Sequence, residues 1–238
     1  VGTKGAGGFV ENWFNENRSY DEALFDKLDS YVLSVKDNVI AVLGKDTDAA
    51  FYGLSTLKLI FEQTADSTVR ALQIEDYADG QYRGFIEGFY GIPWTVEDRI
   101  SLMEFGGDFK MNIYIFAPKD DEYHNSNWRT LYPEDKLEDI RKMVAAGTAA
   151  KCRFAWAIHP FMHNQITAAN YDESLQIVKD KFQQLYDAGV RQFVISADDA
   201  VSNAQVQANL CRDMSQWMKE HEGTYNLVFV PQVYCTAA

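Results

Sequence analysis

The spacing of apolar positions changes once along the chain, and the change divides it into two regions. Up to about Asp79 the pattern is mixed. Residues 21–28 carry apolar side chains at helical spacing. Residues 31–35 and 39–43 read as paired strands about a Lys36-Asp37-Asn38 turn. Thr47 is placed to cap a helix over 48–62, and residues 69–74 read as a further strand. Together these predict a small α+β domain over residues 1–80.

From about Gln81 the pattern becomes apolar strand, loop, helix, and repeats. The predicted strands are 84–87, 112–117, 153–158, 192–197 and 227–230, with helices between them, notably over 133–150 and 171–188. Such alternation implies a parallel sheet with right-handed crossovers. Each strand is followed by polar or aromatic residues: Gly88-Phe89-Tyr90-Gly91, Lys119-Asp120-Asp121, His159-Pro160, Asp198-Asp199 and Tyr234. An open sheet gathers its chemistry at one switch point, whereas a barrel gathers it at the carboxyl ends of many strands. The expected fold class is therefore α/β, with the small α+β domain followed over 81–238 by an incomplete (β/α)8 TIM-type barrel. Five strands are present where a closed barrel has eight. The chain is accordingly expected to be an excerpt of a longer polypeptide, with negligible turnover by itself.

Composition narrows the partners. With 238 residues, 47% of them hydrophobic, the chain can bury a real core. No apolar stretch approaches the roughly 18 residues of a membrane span. A net charge of −13 repels a phosphate backbone, which argues against nucleic acid. The glycine-rich opening, which lacks both an initiator Met and a hydrophobic signal core, reads as a cut start and says nothing of secretion. It also fails as a phosphate loop, because Lys4 precedes the glycines instead of following them. That weakens a nucleotide-dependent enzyme as the rival class. Cys152, Cys211 and Cys235 form no CxxC pair, and Pro160 keeps His159 and His163 off a shared helix face. No metal site is expected.

Asp198-Asp199 closes an apolar strand. The bland alternative is a solvated turn or a helix N-cap. A conventional retaining glycosidase sets its two carboxylates about 5–5.5 Å apart on opposite faces of the scissile bond. Neighbours on one strand end are poorly placed for that. They can approach a sugar from one side, one protonating the leaving oxygen while the other steers a group on the substrate. Lys119 is a candidate ligand for a substrate oxygen, or else a surface lysine paired with Asp120 or Asp121. Gly88 marks either a close approach to ligand or a turn, Trp94 a sugar platform or core, and Tyr234 a hydrogen-bond donor.

Taken whole, the segment Arg83-Gly84-Phe85-Ile86-Glu87-Gly88-Phe89-Tyr90-Gly91-Ile92-Pro93-Trp94-Thr95 is far more specific than its parts. So is Met111 to His124, with Asn112-Ile113-Tyr114-Ile115-Phe116-Ala117-Pro118-Lys119-Asp120-Asp121 at its centre. With Trp128-Arg129, Tyr132-Pro133 and Ser196-Ala197-Asp198-Asp199, these resemble glycoside hydrolase family 84, which includes O-GlcNAc hydrolases and bacterial hyaluronidase-like enzymes. The region before them resembles the α+β domain preceding the barrel in families 84 and 20.

The resemblance implies a retaining β-N-acetylglucosaminidase acting by substrate assistance. In it Asp198 orients the acetamide that attacks the anomeric carbon to form an oxazoline, and Asp199 is general acid, then base. Gly88, through its carbonyl, and Lys119 hold sugar hydroxyls, and Tyr234 lies near the acetamide. It further implies no cofactor, a GlcNAc-bearing glycan or glycoprotein as partner, and a secreted or cell-surface bacterial setting. A hyaluronan-degrading member or a non-catalytic carbohydrate-binding barrel stands as the alternative. His159-Pro160-Phe161 and Pro231-Gln232-Val233 depart from the Ser-Pro-Gly and Pro-Thr-Glu of many relatives, at the pocket edge. Later sugar-binding residues are expected beyond Ala238.

Overall fold

The computed structural model describes residues 1–66, 68–200 and 203–233. The chain forms two compact units, one of residues 1–83 and 104–112, the other of 84–103 and 113–238.

The first unit contains β1 (Gly2–Thr3), α1 (Phe9–Asn17), β2 (Tyr31–Lys36), β3 (Val39–Gly44), α2 (Thr47–Glu62) and β4 (Leu72–Asp76). Its sheet runs in the order β1-β3-β2-β4, with β1 parallel to β3 and the other pairs antiparallel. Asp37 and Asn38, at φ of 47° and 63°, make a two-residue hairpin turn, and Lys36 pairs with Val39 inside the ladder. Both faces of the sheet are covered, which explains the unbroken apolar runs of β2 and β3. Val32, Ala41 and Leu43 pack with Phe14 of α1, while Tyr31, Leu33 and Val42 pack with Tyr52 of α2.

Three expectations are corrected here. Residues 21–28 form only a 3-10 turn over Glu22–Asp26, capped by Asp21, whose side chain accepts from the Ala23 N–H. The cap of α2 is Asp46, accepting from Asp48 and Ala49 N–H, and Thr47 is the first helical residue. The strand expected at 69–74 is Leu72–Asp76.

An unforeseen helix, α1, has no side-chain N-cap bond. The glycine-rich opening instead folds around Glu11, whose carboxylate accepts from Gly5 N–H at 3.0 and 3.1 Å and Gly7 N–H at 3.0 Å. Gly5 and Gly7 both have left-handed φ, which turns their two N–H groups towards the carboxylate. These hydrogen bonds hold the Glu11 carboxyl below its usual pKa range.

From residue 84 onward β5 (Gly84–Glu87), α3 (Val96–Asp108), β6 (Ile113–Phe116), α4 (Glu134–Ala149), β7 (Arg153–Ile158), α5 (Tyr171–Asp187), β8 (Gln192–Ser196), α6 (Ala204–Lys219) and β9 (Val228–Val230) follow one another, all in the second unit except the end of α3 from Glu104. All five strands are parallel and pair in chain order. This is the α/β plan of a (β/α)8-type barrel, five units long. One face of the sheet meets helices through stacked Phe182 and Phe193, centroids 4.3 Å apart, with Trp217 edge-on to both. The opposite face carries Ile113, Ala155, Ala157 and Val194, small enough to suit a barrel interior.

Close approach of β5 to β6 depends on Gly84, where an added Cβ would fall 1.7 Å from the Ile113 carbonyl oxygen. Gly84→Ala is expected to cost about 1–3 kcal/mol in urea unfolding, the usual range for overpacking. Wild-type stability in that variant would contradict the register described.

Candidate active site

A cavity of about 500 Å³ opens at the carboxyl ends of the parallel strands, and all five contribute to it. β5 and its loop supply Ile86, Gly88 and Phe89; β6 and its loop supply Ala117, Lys119 and His124. His159 follows β7, Ser196 and Asp198 come from β8, and Val230 ends β9. Cavities of similar volume lie elsewhere, as around 168–173 and 203–209. Volume alone therefore selects nothing; the convergence of strand ends does.

Asp198 and Asp199 occupy the middle of a turn closed by the Ala200 N–H bonding the Ala197 carbonyl at 3.3 Å, while Ala197 N–H donates to Val230 at 2.8 Å. The helix-cap alternative fails, because Asn203 caps α6, accepting from Gln205 and Val206 N–H. Asp199 has φ of 58°, the left-handed region that costs a non-glycine residue about 1 kcal/mol. The Asp198 side chain is half-buried in the cavity wall, and Asp199 is exposed beside it.

Around Asp198 stand two nitrogen bases. Lys119 Nζ lies 3.7 Å from Oδ2, and His159 Nε2 lies 3.6 Å from Oδ1. The same Nε2 sits 2.7 Å from the Asp198 backbone carbonyl, so it carries the proton and donates. Lys119 is thus paired with Asp198, correcting the alternative in which Asp120 or Asp121 takes it.

Gly88 has neither a left-handed φ nor any crowding; an added Cβ would meet only Ile86 at 3.7 Å. The turn explanation belongs to Gly91, at φ of 140°. The Gly88 backbone is held from behind by buried Glu87, which accepts both Arg99 Nε–H and Nη2–H at 2.8 Å and the Tyr114 hydroxyl. Trp94 is half-buried, its ring 4.9 Å from that of Phe89. Tyr234 and Cys235 lie outside the described residues. Among those described, no cluster of His, Cys, Asp or Glu could hold a metal ion.

The loop bearing Lys119 is tied down by buried polar groups that sequence reasoning missed. Asp121 accepts from Tyr123 and His124 N–H and the Tyr132 hydroxyl. Lys181 is fully buried, boxed by the Tyr123, Tyr132 and Trp156 rings, and donates to the Tyr123 carbonyl at 2.8 Å. Burial pulls its pKa down to about 7. The signal was present: Lys181 sits between Val178, Phe182 and Leu185 on the apolar face of α5.

His124 donates from Nδ1 to the Ala157 carbonyl at 2.7 Å, and burial pulls its pKa down to about 4. Its contribution to stability is full above pH 6.5 and is lost as pH falls towards 4, because the unfolded chain binds the proton first. His124→Asn keeps a donor for Ala157 without the titration. Urea unfolding of that variant is expected to lose less stability than wild type between pH 6.5 and 4; equal losses would contradict the buried neutral imidazole.

Parallel strand ends converging on one cavity that holds a few polar groups are the layout of a barrel enzyme's site. Comparison with known proteins supplies the family. Residues 83–238 match the family model for β-N-acetylglucosaminidase, and residues 18–77 match domain 2 of glycosyl hydrolase family 20. Protein O-GlcNAcase of Rattus norvegicus is 30% identical over 164 residues, covering 64% of this chain and 17% of its own length. Among solved structures, CpGH84D superposes with a TM-score of 0.91 at 49% identity, over 98% of this chain and 40% of that one. An O-GlcNAc hydrolase mutant of Thermobaculum terrenum gives 0.61 at 28% identity, over 66% of this chain and 36% of that one. The chain belongs to the β-N-acetylglucosaminidases of glycoside hydrolase family 84. It spans well under half the length of each of these relatives.

Proposed function

We propose that this chain carries the catalytic carboxylates of a retaining β-N-acetylglucosaminidase that uses the substrate's acetamide as nucleophile, within a longer polypeptide. The observation that carries the reading is Asp198, set in the cavity wall between Lys119 and His159, with Asp199 next to it on the exposed side of the same turn.

In this mechanism a terminal or protein-linked GlcNAc enters the cavity with its hydroxyls towards Lys119 and the Gly88 carbonyl. Asp198 accepts the acetamide N–H, which raises electron density on the carbonyl oxygen. That oxygen attacks the anomeric carbon as the glycosidic bond breaks, and Asp199 gives a proton to the departing oxygen. The resulting oxazolinium, its N–H still held by Asp198, is opened by water, from which Asp199 takes a proton back while the acetamide is restored. Both carboxylates work from one side of the sugar, so adjacency in sequence is a benefit. The exposure of Asp199 suits an acid that must meet leaving groups of varied size. Tyr234 is assigned a place beside the acetamide by the family pattern alone.

Measured on the polypeptide that carries this chain, Asp199→Asn is expected to lower kcat roughly 10²–10⁴-fold on alkyl or peptide-linked GlcNAc. An aryl glycoside with a strongly acidic phenol should recover most of that loss in the first step, since it needs no proton. Asp198→Asn should show no such recovery. Equal recovery in both variants would overturn the assignment of roles.

A further inference from the structure

We infer that His159 is a positioning residue for both aspartates, acting through the peptide bond that joins them. The inference rests on the glycosidase reading above for what that positioning serves. Its geometry stands independently of it.

Three observations carry it. His159 Nε2–H donates at 2.7 Å to the Asp198 carbonyl oxygen, and that oxygen belongs to the peptide unit linking Asp198 to Asp199. Fixing the carbonyl fixes the plane of that unit, and so the directions in which the two side chains leave it. The unit also needs fixing, because Asp199 sits at φ of 58°, where an L side chain is disfavoured and relaxation would swing its carboxylate away. Finally, His159 is itself immobile. It is 1% exposed, and its backbone N–H donates to the His124 carbonyl at 2.9 Å. His124 is in turn bonded through Nδ1 to Ala157 of β7 and through its N–H to Asp121.

His159 Nδ1 is buried without a hydrogen-bond partner among the described residues. A polar atom left unmet in a core is unfavourable, and an apolar side chain of like volume would avoid it. Packing alone therefore does not account for an imidazole at this position. Among the described residues, the one hydrogen bond its ring makes is the bond to Asp198. Sequence reasoning weighed His159 as a metal ligand paired with His163 and placed it at the pocket edge, without a partner in the site; the structure gives it a different use.

The discriminating pair is His159→Gln, which keeps an N–H donor near the Nε2 position, and His159→Leu, which keeps the volume and removes the donor. In the full polypeptide, Leu is expected to lower kcat roughly 100-fold with KM within about threefold, as for a small misplacement of reacting groups, while Gln restores most of kcat. Because both carboxylates are displaced, the Leu loss should persist on the aryl glycoside that rescues Asp199→Asn. Full activity in the Leu variant, a loss confined to poor leaving groups, or a tenfold or greater loss in Gln would each overturn the inference. If Leu does not fold, Gln alone decides by whether kcat is retained. Crystal structures add a readout free of substrate: Asp199 should keep its left-handed φ in Gln and leave it in Leu, and an unmoved peptide in Leu would overturn the inference. A wild-type polypeptide without glycosidase activity would sink the functional reading instead, leaving this backbone comparison to judge His159.

Discussion

The proposed function depends on one constraint: two neighbouring carboxylates must leave a single strand end in fixed directions and stay there. A parallel β-strand ending in an ordinary turn would not hold them so. Here Asp199 accepts a left-handed backbone, and the peptide before it is gripped by His159 from the adjacent strand. Half-burial of the Asp198 side chain follows from the same turn, which brings it to Lys119 at 3.7 Å. The exposed Asp199 side chain is the other product of that geometry. Two residues with identical chemistry thereby acquire different surroundings, the usual route by which one fold obtains both an acid and an orienting base.

Buried polar groups behind the strand ends supply the rigidity. Glu87 is bound bidentately by Arg99 directly before Gly88. Asp121, Lys181 and His124 pin the loop that carries Lys119. Each is costly to bury, and each is offset by hydrogen bonds. Apolar substitutes would hold the loops less specifically, since dispersion contacts lack the directionality of these bonds. The proposed mechanism, with two carboxylates on one side of a sugar, has use for that directionality.

The strands of the parallel sheet were legible in the sequence because each is a short apolar run bounded by polar or glycine residues; 84–87 and 153–158 match the observed ends. The candidate pair Asp198-Asp199, with Lys119 and Gly88, was legible as chemistry at strand ends. The first helix was not: the 9-residue α1 lacks a side-chain cap, and its start is fixed by Glu11 reaching back to Gly5 and Gly7. Apolar spacing over 21–28 suggested a helix, yet Leu24 and Phe25 serve the core equally well from a 3-10 turn. His159, Glu87 and Lys181 escaped because their roles rest on partners 39, 12 and 58 positions away, which no local pattern reveals.

The most direct measurement is a crystal structure of the full polypeptide with a stable bicyclic mimic of the GlcNAc-derived oxazoline. The account predicts the sugar in the cavity between Gly88 and Lys119, its ring nitrogen within hydrogen-bond reach of the Asp198 carboxylate and Asp199 beside the anomeric carbon. A mimic bound with its nitrogen away from Asp198, or in another cavity, would contradict it.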